Sequence, residues 1–164
     1  MTDVGLSAKL REGGLEIKQR QRSHSSIYVA PSVAGTIEQW IKWRFPLVSG
    51  SIPALESTTN KNHWIAVEKE RWLKLIPLAG GPVVSTSTSQ AEFGVYCQVE
   101  LTSIRVGDQR WWTIGFERED ENEKSLGRLL EVTRHVFRNT TLEQLSIKNS
   151  FGYSKWLASL SNNQ

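Results

Sequence analysis

Apolar and polar residues alternate with a period of two through most of the chain before Asp120, which predicts a largely antiparallel β structure. Residues 4–11 and 15–22 give the clearest pair, because each alternates and Glu12-Gly13-Gly14 lies between them. Glycine tolerates the positive φ that tight hairpin turns need. The pattern therefore predicts a β-hairpin near the start of the chain.

Four further stretches have the same strand-like character. Residues 36–45 fit either a helix or a strand, but their aromatic and β-branched content favours a strand. Residues 64–75 predict another strand. Residues 93–106 and 110–119 flank Gly107-Asp108, so they predict a second hairpin.

The apolar spacing becomes helical after Asp120. It predicts a helix over residues 126–137, and the acidic residues before this helix suit the helix dipole. Shorter helices are expected over residues 142–147 and 153–160. The sequence thus predicts an α+β fold, an antiparallel sheet with helices packed outside it and mostly C-terminal, in one domain over residues 1–164.

Composition and charge exclude several classes of protein. Hydrophobic residues are 38% and charged residues 23% of the chain, as in an ordinary globular domain. No apolar run reaches the length of a membrane span and no secretory leader follows Met1, so a cytoplasmic protein is expected. Cys97 is the single cysteine and the three histidines are far apart, so disulfides and Cys/His metal sites are not expected. The net charge is +3, but the basic residues form no single run, which does not favour nucleic acid as a partner.

Several predicted strands carry one apolar face and one charged face. Such a sheet can lie open with its charged face in water, or it can line the inside of a polar tunnel. The residues that would face the tunnel are eight cations and five carboxylates. An enclosed excess of cations requires a bound anion, for which a polyphosphate is the natural candidate. The set is Lys9, Arg11, Lys18, Arg20, Lys42, Arg44, Lys69 and Arg71, with Glu16, Glu38, Glu100, Glu117 and Glu119.

Six segments, in their order along the chain, resemble the CYTH-like family, also called the triphosphate tunnel proteins. They are KLREGGLEIKQR, VEKERW, VYCQVELTSI, WWTIGFERE, VTRHVFRNTTLEQL and FGYSKWL. The resemblance implies an antiparallel β-barrel or half-barrel with charged side chains inside and helices outside. It implies phosphate binding by Lys9, Arg11, Lys18, Arg20, Lys69 and Arg71. It also implies Mg²⁺ or Mn²⁺ bound by Glu100, Glu117 and Glu119.

One family motif is missing from this sequence. The family has an E-x-E-x-K strand at its N-terminus that supplies metal-binding carboxylates and a catalytic lysine. Here Glu16-Ile17-Lys18 preserves only an E-x-K fragment, and its position corresponds better to a later strand. Either the preceding strand lies outside this sequence or the chain is a divergent branch, and in both cases hydrolysis is expected to be slow or absent.

Two functions therefore remain open. The first is binding and metal-dependent hydrolysis of a triphosphate or polyphosphate; the second is a non-catalytic anion- or nucleotide-binding module on the same scaffold. A lipocalin-like carrier would need an apolar interior, which the strand parity opposes. Trp40, Trp43 and Trp64 could stack a base, although packing is the simpler interpretation. Cys97 falls on an apolar face and is expected to be buried and unreactive.

Overall fold

The described residues form antiparallel sheets and two α-helices near the C-terminus, which confirms the predicted α+β class. The structure is a computed structural model that describes residues 5–24, 26–48, 64–77, 84–85, 96–118, 123–138 and 144–161. The chain divides into two compact units. The first unit comprises Met1–Ile65 and Glu143–Gln164, and the second comprises Ala66–Leu142.

The first unit is built on a three-stranded antiparallel sheet. The described strands of this unit are β1 (Leu6–Arg11), β2 (Gly14–Ser23), β3 (Ile27–Ala30), β4 (Val33–Gly35) and β5 (Glu38–Pro46). The sheet has the order β1-β2-β5, while β3 and β4 pair separately. Glu12 and Gly13 form the β1–β2 turn with φ of 48° and 70°. Both values are positive, as a two-residue hairpin turn of matching twist requires.

The second unit contains a four-stranded antiparallel sheet of order β7-β6-β8-β9. Its strands are β6 (Glu68–Pro77), β7 (Val84–Ser85), β8 (Tyr96–Val106) and β9 (Gln109–Glu117). Gly107 begins the β8–β9 turn with a φ of 57°, which a residue with a side chain rarely adopts. Helix α1 (Glu123–Arg138) packs on the sheet where Phe137 contacts Phe116, with ring centroids 5.6 Å apart.

The C-terminal segment joins the first unit through β4. The backbone N–H of Ala34 donates to the carbonyl of Leu145 at 2.8 Å, and Leu145 N–H donates to Ser32 at 2.9 Å. This parallel bridge holds residues 144–146 extended, so the helix predicted over residues 142–147 is wrong in its described part. A 3₁₀ turn (Ile147–Asn149) and helix α2 (Tyr153–Ser161) follow the bridge.

The structure confirms both hairpins and the strand at residues 36–45, where a helix was the alternative. It corrects the predicted strand 64–75, because β6 begins only at Glu68. Glu68 pairs with Arg105 at the end of β8, so residues before Glu68 have no partner strand in the described chain.

The sequence also predicted that the strands line a tunnel, and the described strands do not close into one. They make three separate antiparallel sheets without a closed barrel. No described helix is long and apolar enough to cross a membrane.

Candidate functional site

The cationic face is the charged side of the β1-β2-β5 sheet. Cross-strand partners point to the same side of a sheet, so the register alone defines this face. The face presents six cations and two carboxylates, with one tryptophan at its end. Its members are Lys9, Arg11, Glu16, Lys18, Arg20, Glu38, Trp40, Lys42 and Arg44.

Glu16 lies buried at the centre of the cationic face, with 3% of its side chain exposed. Lys9 Nζ is 2.6 Å from one carboxylate oxygen, and an Arg11 guanidinium nitrogen is 3.6 Å from the other. Burial acts to raise the pKa of Glu16, but the hydrogen bond and charge of Lys9, together with Arg11, outweigh burial and lower it. Burial also lowers the pKa of Lys9, because desolvation of the ammonium exceeds the attraction of Glu16.

Lys18 and Lys42 are the pair that the face leaves unbalanced. They lie directly opposite each other on β2 and β5. Neither has an ion-pair partner among the described residues. Like charges placed directly opposite across two strands are destabilising. The register therefore places two like charges opposite each other, of which Lys18 is also attracted by Glu16, and a bound anion would add a counter-charge for both lysines.

Arg20 is held at the far end of the cationic face. Its guanidinium donates to Glu38 at 2.8 Å and lies 5.9 Å from the centroid of the Trp40 ring. The Trp40 indole N–H donates to the other Glu38 oxygen at 3.1 Å. A Cβ added at Gly152 would lie 3.2 Å from both Glu38 and Trp40, so the C-terminal segment closes against this end. These contacts favour packing over base stacking for Trp40.

The two other tryptophans proposed for stacking are not among the residues that the register assigns to the cationic face. Trp43 falls on the opposite face of the sheet, since it pairs with Ile17. Trp64 lies in the irregular segment before β6 and is exposed. Neither contributes to the cationic face.

The opposite, apolar face of the same sheet is largely exposed. Leu6, Ile41 and Phe45 are exposed, with Phe45 at 47%. Leu10 and Ile17, expected to be covered by helices or loops, are half-buried. The open-sheet interpretation predicted a solvated charged face and a covered apolar face. The structure shows the reverse, because Glu16 on the charged face is buried and Phe45 on the apolar face is exposed.

A β-bulge changes the side of the sheet on which Arg22 lies. The register shifts between Arg20 and Arg22, so Arg22 pairs with Gln39 instead of following the alternation of Glu16 and Lys18. Gln39 lies on the apolar face of the sheet, so its partner Arg22 lies on the apolar face as well. Simple alternation through residues 15–22 was therefore wrong at this position, because one extra residue changes the parity.

The second unit has a charged face of its own, on the side of the sheet that carries Lys69 and Arg71. Arg71 is 3.7 Å from Glu100, and the Thr102 hydroxyl donates to Glu100 at 2.7 Å. Thr102 is fully buried on this face. The register confirms that Lys69, Arg71, Gln98, Glu100, Thr113 and Glu117 share one face, opposite Cys97, Val99, Ile114 and Phe116.

The predicted metal ligands are brought together only in part. Glu100 lies opposite Gly115, so Glu117 is its diagonal neighbour on the same face. Glu119 lies outside the described residues. Within the described ranges, no three His, Cys, Asp or Glu side chains form a group that could hold a metal. Glu100 and Glu117 offer oxygen ligands that suit Mg²⁺ or Mn²⁺, but Arg71 already neutralises Glu100.

Cys97 is fully buried beneath the sheet of the second unit. Burial raises the pKa of its thiol to about 11, with a smaller opposing effect of Arg118. The reactive thiolate is therefore scarce at neutral pH. This agrees with the expectation of a buried, unreactive cysteine.

Comparisons with family models, with curated proteins and with solved structures find no match to this chain. The resemblance to the CYTH-like family therefore stays a prediction that rests on the quoted segments.

Proposed function

We propose that this protein binds an inorganic polyphosphate or the triphosphate of a nucleotide, and that the cationic face is the binding surface. The observation that carries the proposal is the placement of Lys18 directly opposite Lys42. A phosphate oxygen between the two ammonium groups replaces their repulsion with two charge-assisted hydrogen bonds. The ligand would thus supply the counter-charge missing from this part of the sheet.

A chain of linked phosphates fits the face better than a single anion. Cations occur in four successive rows, and rows two residues apart along a strand are separated by about 7 Å. One phosphate group can contact one or two rows, whereas a polyphosphate can contact several. The arginines add bidentate contacts to phosphate oxygens. The rows contain Arg11, then Lys9 and Arg44, then Lys18 and Lys42, then Arg20.

The charged face of the second unit belongs to the same proposal. Lys69 and Arg71 are further phosphate ligands, while Glu100 and Glu117 hold Mg²⁺ or Mn²⁺. Hydrolysis would additionally need a bound metal to orient water. Only the carboxylate spacing in the sequence favours hydrolysis, so binding is the function we put first.

Isothermal titration of tripolyphosphate into the protein at low salt tests the proposal. Lys42→Gln removes one of the opposed ammonium groups, and we expect about tenfold weaker binding from the loss of one charged hydrogen bond. Lys74→Gln is the matched control, because Lys74 is an exposed lysine on the sheet face opposite Lys69 and Arg71. The affinity of the Lys74→Gln variant for tripolyphosphate should match that of the unaltered protein.

Repeating the titration with and without Mg²⁺, while measuring phosphate release, separates binding from turnover. Absence of binding by the unaltered protein, or equal effects of Lys42→Gln and Lys74→Gln, would rule out the cationic face as the site. Turnover at ordinary enzyme rates would instead identify a phosphohydrolase.

A further inference from the structure

A second exposed surface lies on the sheet of the second unit, on the face opposite Lys69 and Arg71. The indole rings of Trp72 and Trp112 stack there, with centroids 5.5 Å apart and planes at 23°. The two residues are 46% and 59% exposed, and Leu101 beside them is exposed as well. Contiguous exposed aromatic surface of this kind marks a binding site more often than isolated exposed side chains do.

Two arginines lie next to the stacked indoles on the same face. Arg105 and Arg110 are directly opposite each other on β8 and β9. Each is two residues along its strand from the row that contains Trp112, a distance of about 7 Å. Glu68 forms an ion pair with Arg105, whereas Arg110 has no ion-pair partner among the described residues. Because Glu68 already neutralises Arg105 and Glu70 shares the row of Trp112, Arg110 is the cation that this face leaves for an anion beside the aromatic rings.

We propose that the Trp72–Trp112 stack and the Arg105–Arg110 pair form a platform for single-stranded nucleic acid. Unpaired bases extend the indole stack, because every base has a π-face, and the arginines contact the phosphates that link the bases. A duplex keeps its base faces within its own stack, so it cannot use the indoles in this way.

The open shape of the surface favours a strand over a single nucleotide. Small ligands are usually held in enclosed pockets that bury most of their surface. A cavity of about 170 Å³ does occur, but it lies in the first unit and is lined by Tyr28, Val33 and Leu145, among others. The stacked indoles instead offer a flat surface along which successive nucleotides can lie.

The platform is independent of the proposed polyphosphate site. None of its residues belongs to the cationic face or to the charged face that carries Lys69 and Arg71. Failure of one proposal therefore leaves the other standing. An excess of tripolyphosphate also separates the two, because it should fill the cationic face and leave most of the oligonucleotide bound through its bases.

Fluorescence anisotropy of a labelled oligouridylate measures the interaction with the full chain. Trp112→Ala removes one stacking partner, and we expect the Kd to rise about fivefold or more. Arg110→Gln tests the phosphate contact at an exposed position where folding is not at risk, and it should weaken binding and flatten its salt dependence. Trp43→Ala, at an exposed tryptophan of the first unit, is the matched control and should bind like the unaltered protein.

Three results would overturn the proposal. The first is no binding of the oligonucleotide at low salt, and the second is equal binding of a duplex of the same sequence. The third is unchanged affinity in both Trp112→Ala and Arg110→Gln. If Trp112→Ala alters the mass measured by light scattering without altering oligonucleotide affinity, the surface joins two copies of the chain instead.

Discussion

Replacing Glu16 by glutamine tests the electrostatic organisation of the cationic face. The variant keeps the shape of the side chain but removes the charge that balances Lys9 and Arg11. Removing one partner of a fully buried ion pair costs about 3–5 kcal/mol. Here the side chains of Lys9 and Arg11 are 44% and 35% exposed, so water can partly solvate the released cations. We therefore expect a smaller loss of unfolding free energy, about 1–2 kcal/mol.

Urea denaturation measures this loss. With a slope of about 2 kcal/mol per molar, the midpoint should fall by about 0.5–1 M. Glu12→Gln is the matched control, because Glu12 lies in the β1–β2 turn and its ion pair with Arg44, at 3.3 Å, is exposed on both sides. Exposed ion pairs contribute little, so the Glu12→Gln midpoint should stay close to that of the unaltered protein.

The same variant separates a structural role of Glu16 from a role in ligand binding. Removing a negative charge makes the cationic face more positive, so tripolyphosphate affinity should be unchanged or higher while stability falls. Equal midpoints for Glu16→Gln and Glu12→Gln would contradict the structural role. A large loss of affinity in Glu16→Gln would show that the carboxylate orders the cations for the ligand.

Three further predictions concern Glu16, Gly152 and Glu117. The lowered pKa of Glu16 means that its stabilisation is complete above the ordinary value of 4.5 and is lost as pH falls through the lower folded value. The midpoint difference between the unaltered protein and Glu16→Gln should therefore shrink as pH falls below 4.5. Gly152→Ala should lower the thermal midpoint, since the added Cβ lies 3.2 Å from Trp40, and a cost of about 1 kcal/mol or more is expected. Gly127→Ala, in α1 with nothing within 4 Å of the added Cβ, should raise it instead. Glu117→Ala should reduce the effect of Mg²⁺ on tripolyphosphate titrations, and an undiminished effect would remove Glu117 from the metal site.

Local features of this fold could be predicted from the sequence because they depend on neighbouring residues. The two hairpins follow from their turn residues, and the sharing of faces by Lys9 with Arg11, or Lys69 with Arg71, follows from the two-residue period. The position of Lys18 opposite Lys42 could not be predicted in this way. The chain between β2 and β5 forms a separate strand pair, so no short turn sets that register.

Tertiary contacts overrode the pattern at several points. The short apolar spacing near Leu145 suggested a helix, but backbone pairing with β4 holds this segment extended. The bulge before Arg22 shifts one residue of β2, which alternation cannot reveal. The burial of Glu16 also needed the fold, because Lys9 and Arg11, which pair with it, lie on the neighbouring strand. Each of these features depends on residues distant in the sequence or on backbone irregularity.

Thermal denaturation of Lys18→Met with and without tripolyphosphate tests the central claim most directly. If Lys18 and Lys42 lie opposite each other in order to bind an anion, removing one ammonium group should leave the ligand-free protein at least as stable as before. Tripolyphosphate at low salt should raise the midpoint of the unaltered protein, because a ligand that binds only the folded state stabilises it. The same addition should raise the midpoint of Lys18→Met by less, because the loss of one ammonium weakens binding about tenfold. No rise in the unaltered protein, or an equal rise in the variant, would contradict polyphosphate binding by the cationic face.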